Sequence, residues 1–218
     1  LTAPNGVLSV EAPHLLSLVD GVQFDTIYHE HYAYWSLLAV ERLFARHGLM
    51  VFDVEHLPTH GGSLRILASP EARPASGSLT ALRRVEAERG LEDDAFYAGF
   101  DDRVAAVVES FRAWLSEQRA RGRKLAAYGA AAKGNTFLNA AGGVAGDLVA
   151  VADLSPAKQG RLLPGSHVPV VPPDELLAID PDDILILPWN IAPEVVGQLR
   201  GAGFAGGLWV ALPEMRRL

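Results

Sequence analysis

The sequence predicts an α/β protein whose second half is a small Rossmann-like parallel sheet. Two observations lead there. From Lys124 onward, short apolar runs at 125–128, 148–152, 184–187 and 208–212 alternate with helix-forming stretches. Strands separated by helices pair in parallel through right-handed crossovers, which gives an open sheet covered on both faces. The residue distribution splits along the same line: six of the seven histidines lie in the first sixty residues, and all three lysines (Lys124, Lys133, Lys158) lie in the last hundred. The two halves are expected to do different jobs.

Bulk composition narrows the function classes. A chain of 218 residues with 49% hydrophobic residues can bury substantial cores. A net charge of -7 argues against nucleic acid or an anionic membrane as the main partner. No run approaches the roughly 20 apolar residues of a membrane span. Leu1-Thr2-Ala3-Pro4 lacks the basic start and apolar run of a signal peptide. The chain has no cysteine, which excludes disulfides, thiolate metal sites and a cysteine nucleophile and fits a cytoplasmic setting.

In chain order, Pro4-Asn5-Gly6 signals a turn. A buried strand follows at 7–10, ended by Glu11 and Pro13, and then a stretch with helical character at 14–19. This opening, a turn into a strand without a preceding Met, reads as entry into the middle of a domain. Ser36 N-caps a helix to His47, with Leu37, Val40 and Phe44 at helical spacing and Gly48 just past its end. Strands are expected at 49–54 and 63–68, joined by a shaped loop, with Arg65 facing away from Leu64 and Ile66. The stretch 70–77 is rich in Pro, Ala, Ser and Gly and reads as a linker, and Ser78 then caps a helix to about Glu88. A longer helix opens at Asp102, carries Val104, Val107, Val108, Phe111 and Leu115 on one stripe, and stops at Gly122. Arg119, Arg121 and Arg123 suit its C-terminal end as solvated charges. After the strand at 125–128, a helix runs through Ala141, and another spans about 193–200.

The most chemical stretch is Phe24-Asp25-Thr26-Ile27-Tyr28-His29-Glu30-His31-Tyr32. A phenol, two imidazoles and a carboxylate in four consecutive positions make a poor core, because buried polar groups each need a partner. The apolar flanks make it a poor solvated loop, so a half-buried polar cluster is expected, where pKa values shift. Three readings compete. The first is a hydrogen-bonded structural cluster. The second is a metal site, with His29 and His31 on one face of an extended segment and His60 as a third ligand. The third is acid–base catalysis, in which a histidine and Glu30 remove a proton and Tyr28 donates to a developing oxyanion.

Elsewhere, His60-Gly61-Gly62-Ser63 has glycines that either admit a ligand to the backbone or simply turn the chain. Gly129-Ala130-Ala131-Ala132-Lys133-Gly134-Asn135-Thr136 is neither a Walker A loop nor a dinucleotide fingerprint. It nevertheless places Lys133 and Asn135 at a strand-to-helix turn, where amides and the helix dipole favour a phosphate. Asp153 ends the next strand, where an acidic residue can take sugar hydroxyls. Lys158 and His167 follow it, and Trp189-Asn190 ends the third strand. All these loops fall at the ligand-binding edge of such a sheet.

Taken together, these pieces resemble the C-terminal portion of the S-adenosylmethionine-dependent C-methyltransferases that act on nucleotide-linked ketodeoxysugars. The resemblance rests on 24–31, His60-Gly61-Gly62-Ser63-Leu64-Arg65, Tyr128 to Asn135, Asp153 to Gly160, Pro164-Gly165-Ser166-His167 and Trp189-Asn190. It implies three parts: residues 1–70 as the last strands of a class I methyltransferase domain, 71–122 as linker and helices, and 123–218 as a Rossmann-like nucleotide-sugar domain. It further implies Tyr28, Glu30 and His31 as catalytic residues. His29, His60, Lys133, Asn135, Asp153, Lys158, Trp189 and Asn190 are expected to bind substrate. S-adenosylmethionine would bind mostly outside this chain, and zinc is expected only in a missing N-terminal domain. The chain therefore reads as a fragment that is inactive alone. Two alternatives remain, a non-catalytic nucleotide-sugar binding module and a histidine-ligated metal hydrolase.

Overall fold

The computed structural model describes residues 3–142, 144 and 146–218; Leu1 and Thr2, the start of the segment compared with a signal peptide, lie outside the described residues. Contacts divide the chain into two units, Leu1–Gln23 with His31–Phe100, and Phe24–Glu30 with Asp101–Leu218.

The first unit contains β1 (Leu8–Pro13), α1 (Leu15–Asp20), α2 (Leu37–Arg46), β2 (Met50–Leu57), β3 (Ser63–Ser69), α3 (Gly77–Arg89) and α4 (Asp94–Tyr97). Its sheet has the order β1-β3-β2, and β3 is antiparallel to both neighbours. The first strand runs on through Glu11 to Pro13 instead of ending there, because Glu11 and Pro13 pair with Arg65 and Ser63 of β3. Along β3, Leu64, Ile66 and Ala68 face inward and meet Val51 and Val54 of β2, Leu37 and Val40 of α2, and Leu79 of α3. Arg65 faces the other way, as its alternation requires, and pairs with Glu55 at 2.7 Å and Glu11 at 3.8 Å.

The start of α2 shows why the helix begins where it does. Ser36 accepts from the Ala39 amide at 3.1 Å, and its carbonyl takes the Val40 amide. The two amides left over, Leu37 and Leu38, donate to the buried Glu86 carboxylate of α3 at 2.7 and 3.0 Å. Glu86 also binds the buried His14 ring at 2.8 Å. The amides of the first three helical residues, Leu37, Leu38 and Ala39, thus all have side-chain acceptors. The cap of α3 is Ser76, which accepts from Leu79 N, and not Ser78. Ser78 already lies inside the helix and bonds Asp53 of β2 instead.

Besides the short segment Phe24–Glu30, the second unit contains nearly all of α5 (Phe100–Ala120), then β4 (Leu125–Tyr128), α6 (Ala132–Ala141), β5 (Leu148–Ala152), β6 (Val170–Val171), α7 (Pro173–Ala178), β7 (Asp183–Ile186), α8 (Ala192–Gly201), β8 (Gly207–Val210) and β9 (Arg216–Arg217). The sheet order is β6-β5-β4-β7-β8-β9, parallel except for the edge pair β8–β9. The chain builds outward from β4 in one direction and returns through β7 to build in the other. The carboxyl ends of β4 and β7 therefore mark the switch point.

Helices α7 and α8 cover one face of this sheet through Leu176, Val195 and Leu199. On the other face Phe111 of α5 meets Phe137 of α6 at 4.8 Å, and Trp114 meets Trp209 at 5.4 Å. The arginines at the end of α5 are ion-paired: Arg119 with Asp147, Arg121 with Glu117 and Arg123 with Asp183. Among the described residues, α4 in the first unit and three short elements of the second escape sequence reading. β6 and β9 have two residues each and α7 only six, too short to show a period. Among the described residues no helix is long and apolar enough to cross a membrane.

Candidate functional site

The polar stretch opens with a 3₁₀ turn, Phe24–Thr26, all three residues buried. Phe24 packs on Phe137 of α6 at 6.0 Å, which seats the turn on the second unit. Ile27 N donates to Phe24 O at 3.0 Å, which closes the 3₁₀ turn, and Tyr28 N donates to Thr26 O at 3.2 Å across a tighter turn. The chain then turns out to solvent. Tyr28 and His31 are half-buried as expected, whereas His29 and Glu30 are exposed, with side chains 84% and 68% accessible.

Residues 29 and 30 form a turn, so His29 and His31 do not share the face of an extended segment. Contacts also divide the quartet: Tyr28, His29 and Glu30 belong with the second unit and His31 with the first. Among the described residues no three His, Cys, Asp or Glu side chains are grouped to hold a metal ion.

His60 is exposed at the tip of the β2–β3 connection, at a φ of 56°. The glycine two residues on is there for packing, since a Cβ on Gly62 would sit 2.7 Å from Ser17 Oγ, at a φ of +123°. It lets the connection press against α1, where Gly62 O accepts the His14 amide and Gly61 O accepts from Gln23.

At the switch point the turn after β4 presses against the segment after β7. A Cβ on Gly129 would lie 2.4 Å from Pro188 Cδ, and one on Gly134 would lie 2.7 Å from Leu187 Cβ. This packing brings four polar residues together. Lys133, in the first turn of α6, is 8% exposed; its ammonium donates to Asn190 Oδ1 at 2.9 Å and lies 4.8 Å from the Trp189 ring centre. Trp189 in turn donates its indole N–H to Asp25 Oδ2 at 2.8 Å. Asp25 is completely buried, and its Oδ1 has no hydrogen-bond partner.

The electrostatics follow from that burial. Desolvation pushes the Asp25 carboxyl up to about 6, against the opposing pull of the Trp189 bond, the Lys133 charge and the Asp25 and Thr26 amides. Desolvation lowers Lys133, and the Asp25 charge resists it. Asn135, in the first turn of α6, has a buried Oδ1 without a partner.

Asp153, at the end of β5, accepts from Ser155 N at 2.8 Å and from Lys158 Nζ at 3.1 Å. Tyr128, at the end of β4, donates to Gln198 of α8 at 3.1 Å; burial and then the Asp153 charge push its phenol up. The structure therefore groups Lys133, Trp189 and Asn190, and pairs Asp153 with Lys158. Sequence reading missed Asp25 as part of the switch-point group. Its signal was an acid inside the otherwise uncharged run Val22-Gln23-Phe24-Asp25-Thr26-Ile27. A cavity of about 370 Å³ in the first unit lies elsewhere, lined by residues such as Leu37, Arg83 and Leu91 and by none of the expected site residues.

A doubly wound sheet with polar side chains on the loops after β4, β5 and β7 defines a Rossmann-like α/β unit. The family model described as the C-methyltransferase C-terminal domain matches residues 58–213, and the chain belongs to that family. Over 222 aligned residues it is 37% identical to the C-methyltransferase NovU of Streptomyces niveus, covering 99% of this chain and 52% of that protein. The chain thus spans about half the length of the curated relative it matches.

Proposed function

We propose that this chain is part of a longer S-adenosylmethionine-dependent C-methyltransferase acting on a nucleotide-linked sugar. In this reading it supplies the proton-handling loop and part of the sugar-nucleotide site. The carrying observation is the Tyr28-His29-Glu30-His31 quartet in a member of the C-methyltransferase family.

The sulfonium donor supplies an electrophilic methyl group, so what is left to the protein is to generate and orient a carbon nucleophile. His31, with Glu30, takes the proton from the carbon next to the sugar's keto group. The electron pair of that C–H bond moves toward the carbonyl oxygen, where the Tyr28 phenol donates a hydrogen bond to the enolate. Exposure of Glu30 leaves it open to an incoming substrate.

The described residues do not suit the donor itself. The strand-to-helix glycines Gly129 and Gly134 are filled by Pro188 and Leu187 rather than open as a cradle. The donor site, and any zinc site, are assigned to portions of the longer protein outside this chain, which alone does not methylate. The second unit would hold the nucleotide: Lys133 and Asn135 at the start of α6 suit a phosphate, and Asp153 a hydroxyl. Trp189, Asn190 and Lys158 would complete that site, and His29 and His60 would contact the sugar. The setting proposed is cytoplasmic.

Glu30→Gln and His31→Asn in the full-length protein test this. Turnover is expected to fall by about 100-fold or more for each, and unchanged turnover would remove the catalytic reading. The buried, unpartnered Asn135 Oδ1 is consistent with a ligand site at the start of α6 under a second reading too, a binding module without catalysis. Under that reading thymidine diphosphate binds while both substitutions are silent.

A further inference from the structure

We propose that Asp25 is a positioning residue: through Trp189 it anchors the Phe24–Glu30 segment on the switch-point edge of the parallel sheet, and so fixes where Tyr28 and Glu30 are presented. For its effect on turnover the proposal rests on the catalytic reading above; the anchor itself does not.

The physical case starts from an oddity of composition. A single indole N–H can be satisfied by any neutral acceptor, yet here the acceptor is a fully buried carboxylate with one oxygen unpartnered. Such a group costs stability unless a charge compensates it. Lys133 on α6 is the charged group acting on it from a neighbouring element, while the residues following β7 offer the neutral Trp189 and Asn190. Lys133 reaches both, donating to Asn190 and lying over the Trp189 ring. The arrangement is therefore a cross-brace. One segment of chain, Phe24–Thr26, is held against α6 by the Phe24–Phe137 contact and against the β7 loop by the Asp25–Trp189 bond.

The brace reaches the expected chemistry by a short path. Two backbone bonds, Ile27 N to Phe24 O and Tyr28 N to Thr26 O, connect Asp25's turn with the residue carrying the phenol. His29 and Glu30 beyond it are exposed, so their own burial does not fix where they lie, and the anchored turn before them does. Truncating the side chain to the alanine methyl removes the bond to the β7 loop and leaves only the Phe24 contact; an amide keeps an oxygen to accept the indole N–H.

The test compares wild type with Asp25→Ala, Asp25→Asn and Trp189→Phe by hydrogen exchange on the 218-residue chain. We expect the Ile27 and Tyr28 amides to exchange at least about tenfold faster in Asp25→Ala and Trp189→Phe, with the β4 and β7 amides unchanged. Asp25→Asn should stay close to wild type. Should Asp25→Ala fail to fold, Trp189→Phe, which keeps a packed ring, decides alone. Exchange at Ile27 and Tyr28 within twofold of wild type in Trp189→Phe overturns the proposal, as does an amide variant as loose as the alanine variant.

In the full-length protein, Asp25→Ala should lower kcat about tenfold with KM for the sugar nucleotide within about twofold, and Asp25→Asn should restore most of it. A rise in KM with kcat unchanged contradicts a positioning role. If Glu30→Gln leaves turnover intact, the catalytic reading fails while the exchange result still judges the anchor.

Discussion

Replacing Glu86 with alanine should be among the most damaging single changes in the first unit. The residue is 3% exposed and serves three donors: the Leu37 and Leu38 amides at the start of α2 and the His14 ring. Alanine leaves two helix amides without acceptors, at about 1–3 kcal/mol each. It also leaves the buried His14 ring nitrogen without its 2.8 Å partner, a further cost of about 1–3 kcal/mol. These costs overlap, so a loss of about 4 kcal/mol is expected, a large share of a typical domain stability of roughly 5–15 kcal/mol. Urea unfolding followed by circular dichroism reads this as a midpoint lower by about 2 M at a slope near 2 kcal/mol/M. Glu86→Gln should fall in between, since it keeps one acceptor oxygen. Burial alone would raise the Glu86 carboxyl, but His14 and the Leu38 and Leu37 amides together hold it below its ordinary 4.5. Its contribution is therefore present above that ordinary value and is lost as pH falls through the depressed one. A loss under about 1 kcal/mol in Glu86→Ala would refute the capping account.

Three further outcomes follow from the same structure. Gly129→Ala places a Cβ 2.4 Å from Pro188 at a φ of +94°, so thermal melting should show a loss of about 2–4 kcal/mol. Ser76→Ala should cost about 1 kcal/mol in chemical denaturation and Ser78→Ala less, because only Ser76 caps α3. Asp25 binds its proton more tightly folded, at about 6 against 3.8, than unfolded. Its stabilising contribution is complete below the unfolded value and lost as pH rises through about 6, a fall of about 3 kcal/mol. Denaturation midpoints of Asp25→Asn measured against wild type from pH 4 to 7.5 should lack that fall.

Where local pattern decides structure, the sequence was readable. Helix α2 follows from Ser36, its apolar stripe and Gly48, and the four parallel strands from short apolar runs between helices. What it concealed is long-range. The amides of α2 are capped by a glutamate 49 residues away, and nothing in 77–89 marks Glu86 as the acidic residue turned inward. The same holds for Asp25, whose indole partner lies 164 residues along the chain. The quartet at 28–31 announced its chemistry through residue types. Its burial depended on where the 3₁₀ turn ends, and Glu30 and His29 lie beyond that limit. Lys133, Trp189 and Asn190 were legible as a group because the switch point of a doubly wound sheet gathers the loops after β4 and β7.

Proton removal is the step on which the proposed function stands, and it can be watched without methyl transfer. The full-length protein, incubated in deuterium oxide with a keto-sugar nucleotide and no methyl donor, should wash deuterium into the carbon beside the carbonyl, visible by proton NMR. The exchange should vanish with His31→Asn. Wash-in at the same rate in the variant, or none in the wild type while methylation proceeds, would contradict proton removal by this loop.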